Sequence, residues 1–114
     1  MMEADHLIGP LAQIPPGEGR VFEVAGTKVA VFRTWSDAVF ATQPECPHRQ
    51  GPLADGLMGD ASVVCPLHER QYDLRTGAGL NTECSITTYP VRLMADGTMV
   101  VQLAPALAGG VGAA

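Results

Sequence analysis

The sequence predicts a small all-β domain, and three observations carry that expectation. Thirteen glycines and nine prolines punctuate the 114 residues, a density that interrupts helices and marks turns. Between them, the β-branched and apolar residues fall in short runs of strand length rather than in helical stripes. Near the C-terminal end an Asp96-Gly97 pair separates two such runs, which suits a tight hairpin turn.

The elements follow in chain order. Residues 21–24 and Thr27–Arg33 read as strands joined at Ala25-Gly26, and 38–41 follows a turn at Ser36-Asp37, making an opening meander. Ser62–Val64 reads as a strand leading into a Cys-Pro segment. Residues 87–94 and Thr98–Leu103 form the hairpin around Asp96-Gly97. Residues 1–19 are set apart as an N-terminal extension and 20–103 as one domain. Residues 104–114, mostly Ala and Gly, read as a flexible tail whose small side chains bury little surface.

Charge narrows the function classes. Seven basic against twelve acidic residues give a net charge of −5, and Lys28 is the one lysine. No basic stripe exists to track a phosphate backbone, so nucleic acid is excluded as a partner. An acidic balance fits docking to a basic surface on a protein partner, or is simply the ordinary charge of a soluble protein. The N-terminus lacks a basic start and an apolar run of signal-peptide length, and no stretch approaches the ~20 apolar residues of a membrane helix. A cytoplasmic protein with no membrane association is the expectation. Three cysteines, an odd number, argue against a closed disulfide framework and leave thiolates for metal.

The chemistry is concentrated in the middle of the chain. Cys46-Pro47-His48 is followed after sixteen residues by Cys65-Pro66-Leu67-His68, so two of three cysteines and two of three histidines fall into paired Cys-x-His and Cys-x-x-His segments. Singly, a histidine is an ordinary surface or core residue and a cysteine a small buried hydrophobe; the pairing points to metal. Zinc, held by two Cys and two His, is one reading. Residues i and i+2 of an extended segment lie about 6.6 Å apart, however, while donor atoms on one zinc lie only ~3.5 Å apart. A two-iron cluster spreads its ligands, so each segment gives its cysteine to one iron and its histidine to the other. Both readings remain open on spacing alone.

The motifs C-P-H-R-Q-G-P-L-A-D-G (46–56), C-P-L-H (65–68), Y-D-L-R-T-G (72–77) and T-Y-P-V-R (88–92) resemble the Rieske [2Fe-2S] domain family over residues 20–103. That resemblance implies a small β-barrel or sandwich with a two-loop cluster-binding subdomain. It also implies one [2Fe-2S] cluster ligated by Cys46, His48, Cys65 and His68, and transfer of single electrons rather than independent catalysis. Two neutral imidazoles in place of two thiolates raise the potential above that of a four-cysteine ferredoxin, within roughly −150 to +300 mV.

The same resemblance bears on the surroundings of the cluster. High-potential members carry a loop-tying disulfide at the positions of Gly51 and Leu67 and a sulfide-bonding serine at Arg70. Their absence points to the low-potential branch. Tyr72 argues the other way, because it occupies the position of a tyrosine whose hydroxyl bonds a ligand sulfur; a tyrosine half-buried on a strand is the alternative. Pro47 and Pro66 restrict each ligand cysteine to extended conformations and stiffen the loops, or are simple turn prolines. Gly51, Gly56 and Gly59 offer positive φ or close packing. Glu69-Arg70 departs from a Gly-Trp pair found in many relatives; the charged pair either steers a docking partner electrostatically or is a solvated surface pair. Cys84 reads as a small buried hydrophobe.

The motifs are most similar to the small subunit of assimilatory NAD(P)H-dependent nitrite reductase, a part of nitrate assimilation, whose partner is a large subunit carrying flavin and sirohaem. The alternative is a stand-alone Rieske ferredoxin between a flavin reductase and a terminal aromatic-ring-hydroxylating oxygenase. A zinc-stabilised binding module stands outside the redox class. If imidazoles ligate the cluster, reduction raises the proton affinity of their outer nitrogens. The midpoint potential is therefore expected to fall with pH once the oxidised form deprotonates; a potential flat from neutral to strongly alkaline pH in protein-film voltammetry contradicts that ligation.

Overall fold

The computed structural model describes residues 4–47, 52–66 and 69–103. Its ten strands, all paired antiparallel, are β1 (Ala4–Pro10), β2 (Glu18–Val24), β3 (Thr27–Arg33), β4 (Val39–Thr42), β5 (Leu57–Met58), β6 (Ser62–Val64), β7 (Gln71–Asp73), β8 (Thr88–Tyr89), β9 (Val91–Leu93) and β10 (Thr98–Leu103). Three sheets result, in the orders β1-β10-β9, β2-β3-β4-β8 and β5-β6-β7. The all-β expectation holds.

Strand β3 organises the packing. Its sequence Val29-Ala30-Val31-Phe32 is buried throughout, and alternation sends the two pairs to opposite faces. Val29 and Val31 join Ile14, Val24, Ala41, Met99, Val101 and Leu103 in a core between the two larger sheets. Ala30 and Phe32 face a second core with Leu53, Val63, Tyr72, Leu74, Ile86 and the cysteines Cys46 and Cys65. The second core belongs to the small sheet and its loops. Phe32, wholly buried, contributes roughly 3 kcal/mol to that second core by leaving water.

The first turn is a two-residue hairpin: Val24 pairs with Thr27, and Ala25 and Gly26 have φ of 51° and 82°. Both central residues are thus left-handed, as the favoured hairpin turn requires. Across the same strand pair, Gly19 lies opposite Phe32. A Cβ at Gly19 would sit 2.8 Å from the Phe32 ring and 3.2 Å from the Ala54 backbone, so the bare glycine lets the short 3-10 turn Leu53–Asp55 settle onto the sheet.

Three boundaries differ from the sequence reading. Residues 87–94, expected as one strand, break at Pro90: β8 pairs with β4 and β9 pairs with β10. Proline has no N–H for the ladder, and its carbonyl instead accepts from Gln102 N at 2.9 Å. The loop at Asp96-Gly97 is longer than a two-residue turn, with Gly97 N bonded to Met94 O and Met94 N to Thr98 O; Gly97 takes the left-handed position at φ 89°. Within residues 1–19, set apart in the sequence as an extension, Ala4–Pro10 forms the edge strand β1 on β10. Asp5 holds it there through Arg92 and Gln102. The tail 104–114 lies outside the described residues, and among those described no helix is long and apolar enough to cross a membrane.

Ala25 is the one residue of the hairpin turn that pays a steric cost for its left-handed backbone. Ala25→Asn, which tolerates that conformation, is expected to raise stability by about 0.5–1 kcal/mol in urea unfolding followed by circular dichroism. An equal or lower midpoint refutes strain at this turn.

Candidate metal centre

The loop between β4 and β5 carries Cys46, and the loop between β6 and β7 carries Cys65. The first is closed at its base by the isolated bridge between Glu45 and Pro52 and by Leu53 N donating to Pro44 O at 3.0 Å. Gln43 fastens it to the sheet from behind: its Oε1 accepts from Thr87 N at 2.7 Å and its Nε2 donates to Glu45 O at 2.6 Å. The second loop closes through Cys65 N to Arg70 O at 2.7 Å and Glu69 N to Cys65 O at 3.0 Å. Glu69 adopts φ 58° to complete it, the left-handed place where the resemblance led one to look for glycine.

Cys46 and Cys65 are each 1 % exposed and enter the same apolar core. Pro47 and Pro66, directly after them, lie at the surface. Of the four expected ligands, Cys46 and Cys65 are among the described residues; His48 and His68, like Gly51 and Leu67, lie outside them. Among the described residues alone, no three His, Cys, Asp or Glu side chains converge as a metal group.

Tyr72 is fully buried on β7 rather than half-buried, and its hydroxyl lies 3.2 Å from Cys46 Sγ. Cross-strand pairing of Tyr72 with Val63, and a bridge to Gly79, fix the ring. Burial first, and then the hydrogen bond with Cys46, push the phenol's proton affinity upward. The hydroxyl therefore keeps its proton to donate to a thiolate sulfur. On the next residue, Asp73 caps the turn that follows: its carboxylate accepts from Arg75 N at 2.7 Å and pairs with the Arg75 side chain, which holds its proton affinity below the usual carboxylate range. Cys84 is partly buried and packs against the core that holds the other two cysteines. Gly56 is not left-handed, with φ −77°; it leaves room for the Val64 carbonyl.

Sequence reading missed the segment that braces the second loop. Asn81 Oδ1 accepts from Gln71 N at 2.8 Å while its Nδ2 donates to Glu69 O at 3.0 Å, and Thr82 Oγ1 accepts from Arg70 Nη1 at 3.0 Å. Polar residues in a Gly-rich stretch give no linear signal of a partner about ten positions away.

Soft sulfur donors from two closed loops, sharing a dry core with a phenol that retains its proton, are a donor set suited to an iron–sulfur cluster. The Rieske [2Fe-2S] domain model matches residues 5–90, and the chain belongs to that family. Its cofactor is a [2Fe-2S] cluster and its activity is electron transfer, which displaces the zinc reading. The anthranilate 1,2-dioxygenase ferredoxin subunit of Burkholderia cepacia is 38% identical over 89 residues, 77% of this chain and 78% of that protein. The ferredoxin of carbazole 1,9a-dioxygenase from Nocardioides aromaticivorans superposes with a TM-score of 0.75 at 29% identity, covering 92% of this chain and 99% of the other. A structure described as an NADH-dependent nitrite reductase small subunit from Mycobacterium tuberculosis superposes with a TM-score of 0.85, covering 92% and 99%, at 22% identity. That last likeness is one of fold.

A hydroxyl donating to a ligand sulfur draws electron density from it and favours the reduced state. Tyr72→Phe is expected to lower the midpoint potential, by about 40 mV for each kcal/mol of that preference in a one-electron couple. An unchanged potential in spectroelectrochemical titration shows that the hydrogen bond has no redox consequence.

Proposed function

We propose that Cys46 and Cys65 ligate one iron of the cluster and His48 and His68 the other, and that the chain is a one-electron carrier of the low-potential Rieske branch. The observation that carries the ligand reading is the convergence of Cys46 and Cys65, from two separately closed loops, in one buried core. When bound, the cluster accepts and releases a single electron. The chain's own residues exclude water from the sulfur side, through Phe32, Leu53, Val63 and Leu74, and Tyr72 holds a proton against Cys46. Low potential is supported by Gly51 and Leu67, which cannot form a disulfide, and by arginine at position 70. Tyr72 works against that direction and moderates it. Pro47 and Pro66 stiffen the ligand loops by restricting the cysteine before each.

The partner reading supported by sequence is a Rieske ferredoxin that takes electrons from a flavin reductase and passes them to a terminal aromatic-ring-hydroxylating oxygenase. Its support is the 38% identity to a dioxygenase ferredoxin over most of both chains. A second reading, the small subunit of an assimilatory NAD(P)H nitrite reductase, rests on the motifs at 46–53, 73–77 and 88–92. In both, the acidic surface meets a basic face on the partner.

Purification from native extract separates the two. A ferredoxin is isolated alone and is reduced by a separate flavin reductase, whereas a nitrite reductase subunit comes with a large flavin- and sirohaem-containing chain. For the ligands, metal analysis should find two irons and two acid-labile sulfides per brown protein chain. His48→Ala or His68→Ala should abolish the paramagnetic spectrum of the reduced state with strand content at least partly retained. A spectrum that survives both replacements removes the histidines from the ligand set.

A further inference from the structure

We propose that Arg70 tunes the cluster: its guanidinium, clamped beside the second ligand loop by the segment 79–84, is a fixed positive charge that favours the reduced state. The inference rests on the ligand assignment above and goes beyond it, since Arg70 is a positioning and electrostatic residue rather than a ligand.

The backbone places Arg70 at the mouth of the loop, where its carbonyl accepts from Cys65 N at 2.7 Å. The side chain does not swing into water. Nη1 donates to Thr82 Oγ1 at 3.0 Å, and Nε is out of solvent contact. Thr82 Oγ1 also accepts from Cys84 N at 3.3 Å, and Cys84 packs against the core that contains Cys46, Cys65 and Tyr72. The cation is thus anchored to the turn that walls the sulfur-bearing core.

That turn is itself built to stay. Asn81 bridges Glu69 O and Gln71 N, and Leu80 N donates to Gln71 O at 2.8 Å. At Gly79, which pairs with Tyr72, a Cβ would strike the carbonyls of Thr82 and Cys84, so only glycine lets the segment fold back this tightly. Two polar side chains, Asn81 and Thr82, hold three successive residues just after the second ligand motif.

Reduction adds one negative charge to the cluster. A guanidinium keeps its charge throughout the working pH range, and one partly withdrawn from water acts through a lower dielectric than a surface charge. Its attraction for the reduced cluster is larger than for the oxidised one, so the potential rises. The nearby carboxylates of Glu69 and Glu83 belong to exposed residues, where water and salt screen them. Arg70 thereby offsets part of what is lost with the serine that high-potential relatives carry at this position.

The test is the midpoint potential of the iron-loaded full chain, with the visible and paramagnetic spectra recorded on the same samples. Arg70→Gln is expected to shift the reduction equilibrium about tenfold toward the oxidised state, ~59 mV for one electron, with unchanged spectra. Arg70→Lys, which keeps the charge, should restore most of that shift, and Thr82→Val, which removes the Thr82 hydrogen bond to the guanidinium, should produce part of it. Equal losses in Arg70→Gln and Arg70→Lys, or an unaltered potential in Arg70→Gln, overturn the proposal while the ligand assignment stands. If Arg70→Gln fails to load iron, Thr82→Val decides, and an unaltered potential there overturns it. Wild-type protein without a Rieske spectrum overturns the ligand assignment and the inference together.

Discussion

The centre of strand β3, Val29–Phe32, has no solvent face, and this double burial is the constraint on which the arrangement of the molecule depends. Val29 and Val31 must find apolar partners on one side, Ala30 and Phe32 on the other. One side is met by β10 and the segment around Ile14; the other is met by the small sheet and the loops that bear Cys46 and Cys65. A sheet strand buried on both faces cannot slip by one residue without exchanging the two sets. Register in the β2-β3-β4 meander therefore also sets where Cys46 and Cys65 stand.

The cysteines make use of that rigidity. Each belongs to a loop closed by backbone hydrogen bonds at its base, and each side chain is part of the packed core rather than an appendage of it. A dry surround strengthens every electrostatic interaction with a bound cluster. The protein can then adjust the cluster with few groups: a phenol against Cys46 and a cation beside the Cys65 loop. The two come from positions two apart, Tyr72 on β7 and Arg70 just before it, so the short segment 70–72, braced by Asn81 and Thr82, carries both adjustments.

The two partner readings share one fold and one cofactor. Fold likeness does not choose between them, because the same scaffold serves both a dioxygenase ferredoxin and a nitrite reductase subunit. Sequence identity leans toward the ferredoxins. At Glu69-Arg70 a left-handed glutamate and a clamped arginine stand where the family resemblance implies a small and aromatic pair.

The sequence by itself determined the all-β class, the hairpin around Ala25-Gly26, the strands Thr27–Arg33 and Thr98–Leu103, and the pairing of Cys-x-His with Cys-x-x-His. All of these are written in local pattern: alternation, turn chemistry and ligand spacing. Tertiary structure decided that 87–94 is two strands serving different sheets, that Ala4–Pro10 closes the edge of β10, that Tyr72 is wholly buried with its hydroxyl on Cys46, and that Asn81 and Thr82 clasp the second loop. Each of these depends on a partner from ten to nearly a hundred residues away, as Asp5 with Gln102 illustrates. Long-range pairing leaves no periodic trace in a linear chain, because whether a proline, a polar side chain or a tyrosine hydroxyl finds a partner is settled only when the sheets pack.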